Sequence, residues 1–232
     1  VTGRIRGKSS EFQILLGGHY DTHFWGFQDD CCAVGLVLAA AKAMLDIGFE
    51  PENDIVFCLH GAEEWGSSYT QFDWTVGAWE MINTLHPEWV GKTLAFLNFE
   101  LPAYEFATYT TTYSAPEMFS LLRDFTTRYP YAPKPQGCFP DGVLTEGYQT
   151  YTYSDDFSYY AAGVPSTVNG FLLQKDMEHV HPFYIDYYHT QYDTPDTYND
   201  AVMAFNLRYY GALAIYIDQM PALQLDFTAQ YT

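Results

Sequence analysis

Histidine and acidic residues occur in four short groups, and each group follows an apolar run or lies just before one. The four groups are His19 with Asp21, Asp29 with Asp30, Glu63 with Glu64, and Glu100 on its own. Imidazole nitrogen and carboxylate oxygen are ligands to which zinc bonds at about 2.0–2.2 Å. Two metal ions about 3.5–4 Å apart also need one carboxylate shared between them. These residue types are therefore the types that a two-metal hydrolytic site requires.

Each group also has a common structural explanation. A histidine after a strand is usually a hydrogen-bonded surface residue, and an aspartate pair before a helix usually caps that helix. Adjacent glutamates commonly lie in a solvated turn. Several such coincidences at one edge of a sheet are much rarer than any one of them. Asp21 adds to the case, because a residue beside His19 can accept the second ring N–H and orient the imidazole.

The elements that must position these groups alternate between strand and helix. Apolar or β-branched runs predict strands at 12–18, 54–60, 93–100, 106–113 and 164–171. Apolar residues at helical spacing predict helices at 33–46, 72–84, 115–129, 155–163 and 197–218. This order favours an α/β fold, a three-layer sandwich with a mostly parallel mixed central sheet. Ligands bind such sheets outside the carboxyl ends of the strands, where we expect the four groups to meet.

Local patterns on the second half of the chain give three further expectations. The strand at 106–113 alternates in polarity, so it is expected at an exposed edge of the sheet. Ser114 is expected to cap the helix that follows it. The Pro/Gly-rich stretch 130–147 is expected to be a loop within the domain.

The four cysteines predict no structural zinc site, because they form no CxxC pair. They are Cys31, Cys32, Cys58 and Cys138. We expect buried free thiols for Cys31 and Cys32 at a predicted helix start and for Cys58 inside a predicted strand.

Composition limits the class of protein. The chain has 232 residues, of which 48% are hydrophobic, and this suits one domain spanning residues 1–232. Asp and Glu number 29 against 10 Lys and Arg, a formal charge of −19, so nucleic acid is not expected as a partner. No uninterrupted apolar run of about 18 residues occurs, so no membrane span is expected. The chain begins at Val1 without a leader, and we expect it to be a mature or excised piece.

Four motif blocks together resemble the di-zinc exopeptidases of clan MH, a group that includes aminopeptidases, glutamate carboxypeptidase II, glutaminyl cyclases and the transferrin receptor. The blocks read "GGHYDTHFWGFQDDCCAVG", "GAEEWG", "LNFE" and "YYHTQYDTPDTYND". Three segments in order, "GFEPENDIVFCLHGAEEWG", "AFLNFE" and "YSDDFSYYAAGVPS", are most similar to the glutamate carboxypeptidase II and transferrin receptor branch. The resemblance covers residues from about 12 to 218, and it implies the zinc-exopeptidase (phosphorylase/hydrolase-like) fold and two zinc ions.

The resemblance also implies roles for individual residues. His19 and Glu100 correspond to ligands of the first zinc, Asp29 to the bridging carboxylate, and Glu64 and His189 to ligands of the second zinc. Glu63 corresponds to the general base. Tyr188 corresponds to the phenol that hydrogen-bonds the developing oxyanion, and Asp21 to the partner of His19. Asp30 would then support the site or cap a helix.

Glu100 departs from the family pattern, which usually has Asp at this position. The extra methylene displaces the carboxylate by roughly one carbon–carbon bond, so the first metal could be held loosely or lost. A non-catalytic, receptor-like binding module is the corresponding alternative from another functional class. The other ligand types and the base are all present, which favours an enzyme.

The function that the resemblance implies is a zinc metallopeptidase, an exopeptidase most similar in its features to an aminopeptidase, with a peptide as substrate. A carboxypeptidase that recognises acidic side chains would need arginines in its pocket. Beyond the first strand the only arginines are Arg123, Arg128 and Arg208, all on predicted helices. A glutaminyl cyclase or a glutamate carboxypeptidase remains an alternative. The resemblance slightly favours a secreted or cell-surface location, and nothing predicts the oligomeric state.

Several other residues near the motif blocks have two interpretations each. Asp155 and Asp156 could bind a substrate amino group or cap a helix. His23 and His60 could support the metal ligands, although packing or hydrogen bonding is the stronger expectation for both. Trp65 could line the specificity pocket or pack in the core. His179 and His181 are expected to be exposed loop histidines rather than metal ligands.

Overall fold

The strands of this computed structural model form one mixed sheet. The structure describes residues 1–66, 74–129, 137–140, 142–144, 154–172 and 186–228. Within them the strands are Thr2–Ile5 (β1), Gln13–His19 (β2), Asp54–His60 (β3), Thr93–Asn98 (β4), Tyr109–Ser114 (β5), Gly142–Leu144 (β6) and Ser166–Leu172 (β7). Their order across the sheet is β1-β3-β2-β4-β7-β5-β6.

The central strands run parallel, and this brings their carboxyl ends to one edge. β2 pairs in parallel with both β3 and β4, and β4 pairs in parallel with β7. β1 is antiparallel to β3 and β5 is antiparallel to β7, while β6 is parallel to β5. All seven residues of β2 are buried, as expected for a strand covered on both faces. The predicted mostly parallel mixed sheet is confirmed.

Helices cover both faces of the sheet. They are Ala33–Asp46 (α1), Val76–Glu80 (α2), Phe119–Arg128 (α3), Asp155–Ala161 (α4) and Asp200–Asp218 (α5). One apolar core joins α1, α3 and α5 to residues such as Leu16 and Phe57, and a second joins α2 and α4 to Leu15 and Val56. Leu15 and Leu16 are neighbours on β2, so the two cores lie on opposite faces. The three-layer α/β sandwich is confirmed. No helix in the described ranges has the length and hydropathy that a membrane crossing requires.

The prediction that the strand at 106–113 is an exposed edge is wrong. β5 lies between β7 and β6, and all six of its residues are buried. The misleading feature is its run of threonines, whose hydroxyl groups form hydrogen bonds inside the protein. Thr110 Oγ1 donates to the Gly170 carbonyl at 2.6 Å, and Thr112 Oγ1 lies 2.9 Å from the Tyr210 hydroxyl. Buried threonines of this kind satisfy their polar groups internally and so mimic a solvent-facing pattern.

Two other local predictions also need correction. Ser114 ends β5 instead of capping a helix, and a 3-10 turn at Pro116–Met118 precedes α3. The stretch 130–147 was predicted to be a loop, but its residues Gly142–Leu144 form β6. β1 was not predicted at all, because its polar residues carry no apolar pattern.

The four cysteines are free thiols; Cys32 and Cys58 are buried as expected, and Cys138 is buried as well. Cys31 is the exception, since it is exposed on the turn before α1. α5 starts at Asp200, three residues later than predicted, because the Asn199 side chain accepts hydrogen bonds from the Ala201 and Val202 amides.

Candidate metal centre

The predicted groups meet at the carboxyl ends of β2, β3 and β4. His19 is the last residue of β2, and its register partner His60 is the last residue of β3. Glu63 and Glu64 follow β3 within four residues, and Glu100 lies two residues beyond Asn98, the end of β4. The parallel pairing of the three strands therefore brings residues far apart in sequence to one place, which confirms the predicted edge.

Asp29 lies between the two histidines predicted to bind metal. Its Oδ1 is 3.1 Å from His19 Nε2, and its Oδ2 is 3.1 Å from His189 Nε2. The Asp29 side chain is 5% exposed, so water does little to separate these atoms. One carboxylate thus presents one oxygen to each of two imidazoles, the arrangement that a shared ligand of two metal ions requires.

Further carboxylates extend the cluster on either side of Asp29. On one side, Glu100 Oε2 lies 3.5 Å and Glu63 Oε2 3.8 Å from His19 Nε2. On the other side, Glu64 Oε2 lies 3.1 Å from His189 Nε2. We call the six residues that the structure brings together here the metal cluster: His19, Asp29, Glu63, Glu64, Glu100 and His189.

The geometry of the metal cluster fits zinc. A tetrahedral ion with ligand bonds of about 2.0–2.2 Å separates its ligand atoms by about 3.3–3.6 Å. The separations of 3.1 Å and 3.5 Å from His19 Nε2 to Asp29 and Glu100 lie close to that range. Both carboxylate oxygens of Glu64 and the Nε2 of His189 are buried and have no hydrogen bond of standard geometry within the described residues. Such atoms are costly to bury unless a cation or another donor satisfies them.

Asp21 connects His19 to the loop after β3. The Nδ1 of His19 lies 2.9 Å from the Asp21 backbone carbonyl, whereas the nearer carboxylate oxygen is 3.6 Å away. The Asp21 carboxylate instead accepts hydrogen bonds from the Glu63 and Glu64 amides, each at 3.1 Å. The main chain of Asp21 thus provides the expected orientation of His19, while the Asp21 side chain positions Glu63 and Glu64.

Glu100 is held more firmly than its extra methylene suggested. Its Oε1 accepts a hydrogen bond from Ser154 Oγ at 2.5 Å. Asn169 Oδ1 accepts from the Glu100 amide at 2.8 Å, and Asn169 Nδ2 donates to the Glu100 carbonyl at 2.7 Å. These contacts fix both the main chain and the carboxylate of Glu100. They do not show the loosely held site that the extra methylene suggested.

Asp193 is a positioning residue that the sequence reasoning missed. Its carboxylate accepts hydrogen bonds from the Gln28 amide at 2.9 Å and the Asp29 amide at 3.1 Å. Asp193 lies in the block "YYHTQYDTPDTYND", four residues after His189, and this nearness was the only signal for it. Asp30 also positions the main chain, because its buried carboxylate accepts from the His19 and Leu101 amides, each at 3.3 Å.

The metal cluster retains protons when no other cation is present. Burial opposes the protonation of His19, but the Glu100 and Asp30 carboxylates outweigh it and hold the His19 pKa well above its ordinary value. Burial also opposes protonation of His189, and Asp29 and Glu64 raise its pKa to about 9. Zinc binds neutral imidazole, so metal binding at this site would displace these protons.

The carboxyl groups are shifted in opposite directions. Burial would raise the pKa of Asp29, yet its contacts with the His189 and His19 imidazoles lower it to about 2. Burial and the Glu100 carboxylate hold the pKa of Glu63 well above its ordinary value. Carboxyl groups with separated pKa values commonly take different roles, the ionised one as ligand and the basic one in proton transfer.

Tyr188 and Trp65 lie beside the cluster. The Tyr188 ring stacks on His189 at 3.8 Å between ring centroids. Burial and the Asp29 and Glu100 carboxylates raise its pKa, so its hydroxyl keeps the proton and can act as a hydrogen-bond donor. Trp65 is 62% exposed, so it does not pack in the core; its ring centroid is 6.1 Å from that of His23.

Asp155 and Asp156 are not members of the metal cluster, although, besides burial, Asp155 raises the pKa of Glu63 and Glu100 raises that of Asp156. Asp155 and Asp156 are fully buried in the first turn of α4, and neither caps it by a side-chain hydrogen bond. Asp155 Oδ2 lies 2.9 Å from Nδ1 of the buried His60. His179 and His181 lie outside the described residues, so their expected exposure stays a prediction.

Comparison with known proteins gives one family and many similar folds. The model of Peptidase family M28 matches residues 1–210. A search of curated protein sequences found no significant match.

Three of the similar solved structures illustrate the fold. An aminopeptidase from Aneurinibacillus sp. strain AM-1 has a TM-score of 0.69 at 20% identity, with 96% of this chain covering 48% of that one. A zinc aminopeptidase from Bacillus subtilis has a TM-score of 0.72 at 16% identity, with coverages of 97% and 52%. A peptidase M28 precursor from Shewanella amazonensis has a TM-score of 0.68 at 24% identity, with coverages of 97% and 45%. The chain thus spans about half the length of these proteins.

Proposed function

The chain belongs to peptidase family M28, and we propose that it is a zinc-dependent exopeptidase that removes residues from the free N-terminus of peptides. Two of the similar structures are described as aminopeptidases, one of them as a zinc aminopeptidase. The single observation that carries the proposal is the position of Asp29, whose two oxygens each lie 3.1 Å from a different imidazole Nε2.

The metal ligands of the proposed site fall into two sets that share Asp29. His19 and Glu100 would complete one set, and Glu64 and His189 the other. Two zinc ions bound there would polarise the scissile carbonyl and lower the pKa of a water molecule. The burial of Asp29 and Glu64 keeps bulk water away from the ligands, which strengthens electrostatic interactions at the site.

Glu63 has the position of a general base. Its Oε2 lies 3.8 Å from His19 Nε2, at the side of the cluster that also holds Glu100. From this position it would take a proton from the attacking water and return it to the leaving amine. Tyr188, which retains its own proton, would donate a hydrogen bond to the carbonyl oxygen as charge develops there.

The charges around the site favour a substrate amino group over a substrate carboxylate. Two bound zinc ions would offset the four carboxylates of the metal cluster, and Asp21 and Asp193 add two more carboxylates within hydrogen-bond distance of its main chain. Arg4 is paired with Asp54 at the opposite end of β3, and Arg123 and Arg128 belong to α3. An ammonium group is attracted to such a site, whereas a carboxylate would need a nearby arginine.

The test uses three peptides that differ only at their ends. A tripeptide with a free N-terminus and an amidated C-terminus should be cleaved after zinc is added, and cleavage should stop with a chelator. The same peptide with an acetylated N-terminus should resist cleavage. Cleavage of a peptide with a free C-terminus and an acetylated N-terminus would instead identify a carboxypeptidase, and ammonia release from an N-terminal glutamine peptide would identify a cyclase.

A further inference from the structure

His23 lies against the Glu64 side of the metal cluster, although no role has been assigned to it so far. Its Nε2 is 3.4 Å from Glu64 Oε2, and its ring centroid is 4.3 Å from that of His189. The candidate ligand atoms of His23, Glu64 and His189 all lie within 4.8 Å of one another. The His23 side chain is 32% exposed, so it reaches the cluster from the solvent side.

The two neighbours of His23 have unused ligand atoms. Glu64 is 1% exposed at its side chain, and neither of its carboxylate oxygens has a hydrogen bond of standard geometry within the described residues. His189 Nε2 is buried and equally without one there. A buried carboxylate that lies 3.1 Å and 3.4 Å from two imidazole nitrogens, without a hydrogen bond of standard geometry to either, suits a cation bound among the three groups.

The distances from Glu64 to His23 and to His189 are close to those between two ligands of one tetrahedral ion. Tetrahedral zinc separates its ligand atoms by about 3.3–3.6 Å. The atoms of Glu64 lie 3.4 Å from His23 and 3.1 Å from His189, and Asp29 Oδ2 lies 3.1 Å from His189. On the other side of Asp29, Glu100 Oε2 and Glu63 Oε2 lie 3.5 Å and 3.8 Å from His19 Nε2, and because Glu63 is the proposed base, His19 and Glu100 are the ligands that remain with Asp29.

We propose that His23 Nε2 is a fourth protein ligand of the ion held by Asp29, Glu64 and His189. This inference rests on the proposed zinc site, and it makes the two ions unequal. Four protein ligands close a tetrahedral zinc site, as in structural sites, whereas three leave one position open. The ion beside His23 is therefore bound more tightly, and the ion beside His19 and Glu100 keeps the open position that a hydrolytic water needs.

The test measures zinc affinity rather than activity. Metal-free protein is titrated with Zn²⁺ against a chromophoric chelator, for the unaltered chain and for H23A, H23C and H86A. His86 provides the matched control, because its imidazole contacts Glu88 and Trp89 away from the cluster. We expect H23A to weaken the tighter of two zinc sites by at least about 10-fold and to leave the weaker site unchanged. H23C supplies a thiolate ligand and should restore most of that affinity, while H86A should have no effect.

A second readout reports the ligands directly. Cobalt substituted for zinc has visible absorption that depends on the number and type of its ligands, and H23A should change that absorption while H86A should not. Two zinc ions in the unaltered chain, with unchanged affinities and cobalt spectra in H23A, would overturn the inference and leave the proposed function standing. An unaltered chain that binds no zinc would overturn both.

Discussion

His19 and His60 are register partners at the ends of adjacent strands, yet they belong to two clusters of opposite character. His19 belongs to the metal cluster, where four carboxylates accompany two imidazoles. His60 belongs to what we call the buried histidine cluster: Cys58, His60, Asp155 and Tyr159. There, His60 Nε2 lies 2.9 Å from the Tyr159 hydroxyl and 3.3 Å from Cys58 Sγ, and Nδ1 lies 2.9 Å from Asp155 Oδ2.

The difference between the two clusters lies in the balance of charge. Each ring nitrogen of His60 has a polar neighbour, and one imidazole faces one carboxylate, so this group needs no ligand. The metal cluster holds four carboxylates and two imidazoles, so two carboxylates lack a counter-charge even when both imidazoles are protonated, and a metal cation would balance them. Burial of a titratable group is therefore not by itself a sign of a binding site, whereas uncompensated charge is.

The largest expected effect separates chemistry from binding within the metal cluster. E63Q removes the base but keeps the shape of the side chain, so turnover should fall by about 10²–10⁴-fold. Zinc content should be unchanged, since Glu63 is the base and not a ligand in the proposed site. Steady-state kinetics and metal analysis of E63Q, with the exposed-site variant E88Q as control, check this. Normal turnover with normal zinc content would remove Glu63 from its role.

The second prediction concerns the buried histidine cluster. D155N removes the carboxylate beside His60 and leaves a buried imidazolium without its counter-charge. The free energy of unfolding should fall by about 3–5 kcal/mol, measured by urea denaturation. Zinc stoichiometry should stay the same, because this cluster holds no metal ligand. Loss of zinc without loss of stability would mean that the two clusters form one site.

The third prediction is the pH dependence of that cluster. Burial opposes protonation of His60, but Cys58 and Asp155 outweigh it and raise the pKa from 6.5 to about 10. A raised pKa in the folded state stabilises the protein fully below pH 6.5 and loses this effect as the pH rises to about 10.

H60F isolates this effect. The difference in unfolding free energy between the metal-free unaltered chain and H60F should shrink steadily between these two pH values. Urea denaturation at several pH values gives both curves. A difference that stays constant across the range would contradict a charged His60.

The smallest expected effect concerns the metal cluster, and it is a gain in the stability of the metal-free protein rather than a loss. Burial raises the pKa of Glu100, so its charged form destabilises the metal-free protein near neutral pH. E100Q should therefore stabilise the metal-free chain, by an amount on the order of 1 kcal/mol, while it weakens zinc binding. Thermal denaturation with and without zinc measures both effects. A metal-free E100Q less stable than the unaltered chain would show that Glu100 is needed for folding rather than for metal.

The sequence predicted the metal cluster better than the fold around it. The end of an apolar run predicts the end of a strand, so His19 and Glu100 could be placed at strand ends from the sequence alone. The burial of β5 could not be predicted, because its threonines form hydrogen bonds with residues that only the folded chain brings near. Asp193 was missed for the same reason, since its contacts to the Gln28 and Asp29 amides span more than 160 residues.

The most direct test of the central claim is the anomalous diffraction of a crystal grown with zinc, measured at the zinc absorption edge. We expect two peaks about 3.5–4 Å apart, one on each side of the Asp29 carboxylate. The buried histidine cluster should show none. A peak beside His60, or the absence of any peak at Asp29 in a zinc-saturated crystal, would contradict the assignment of the metal centre.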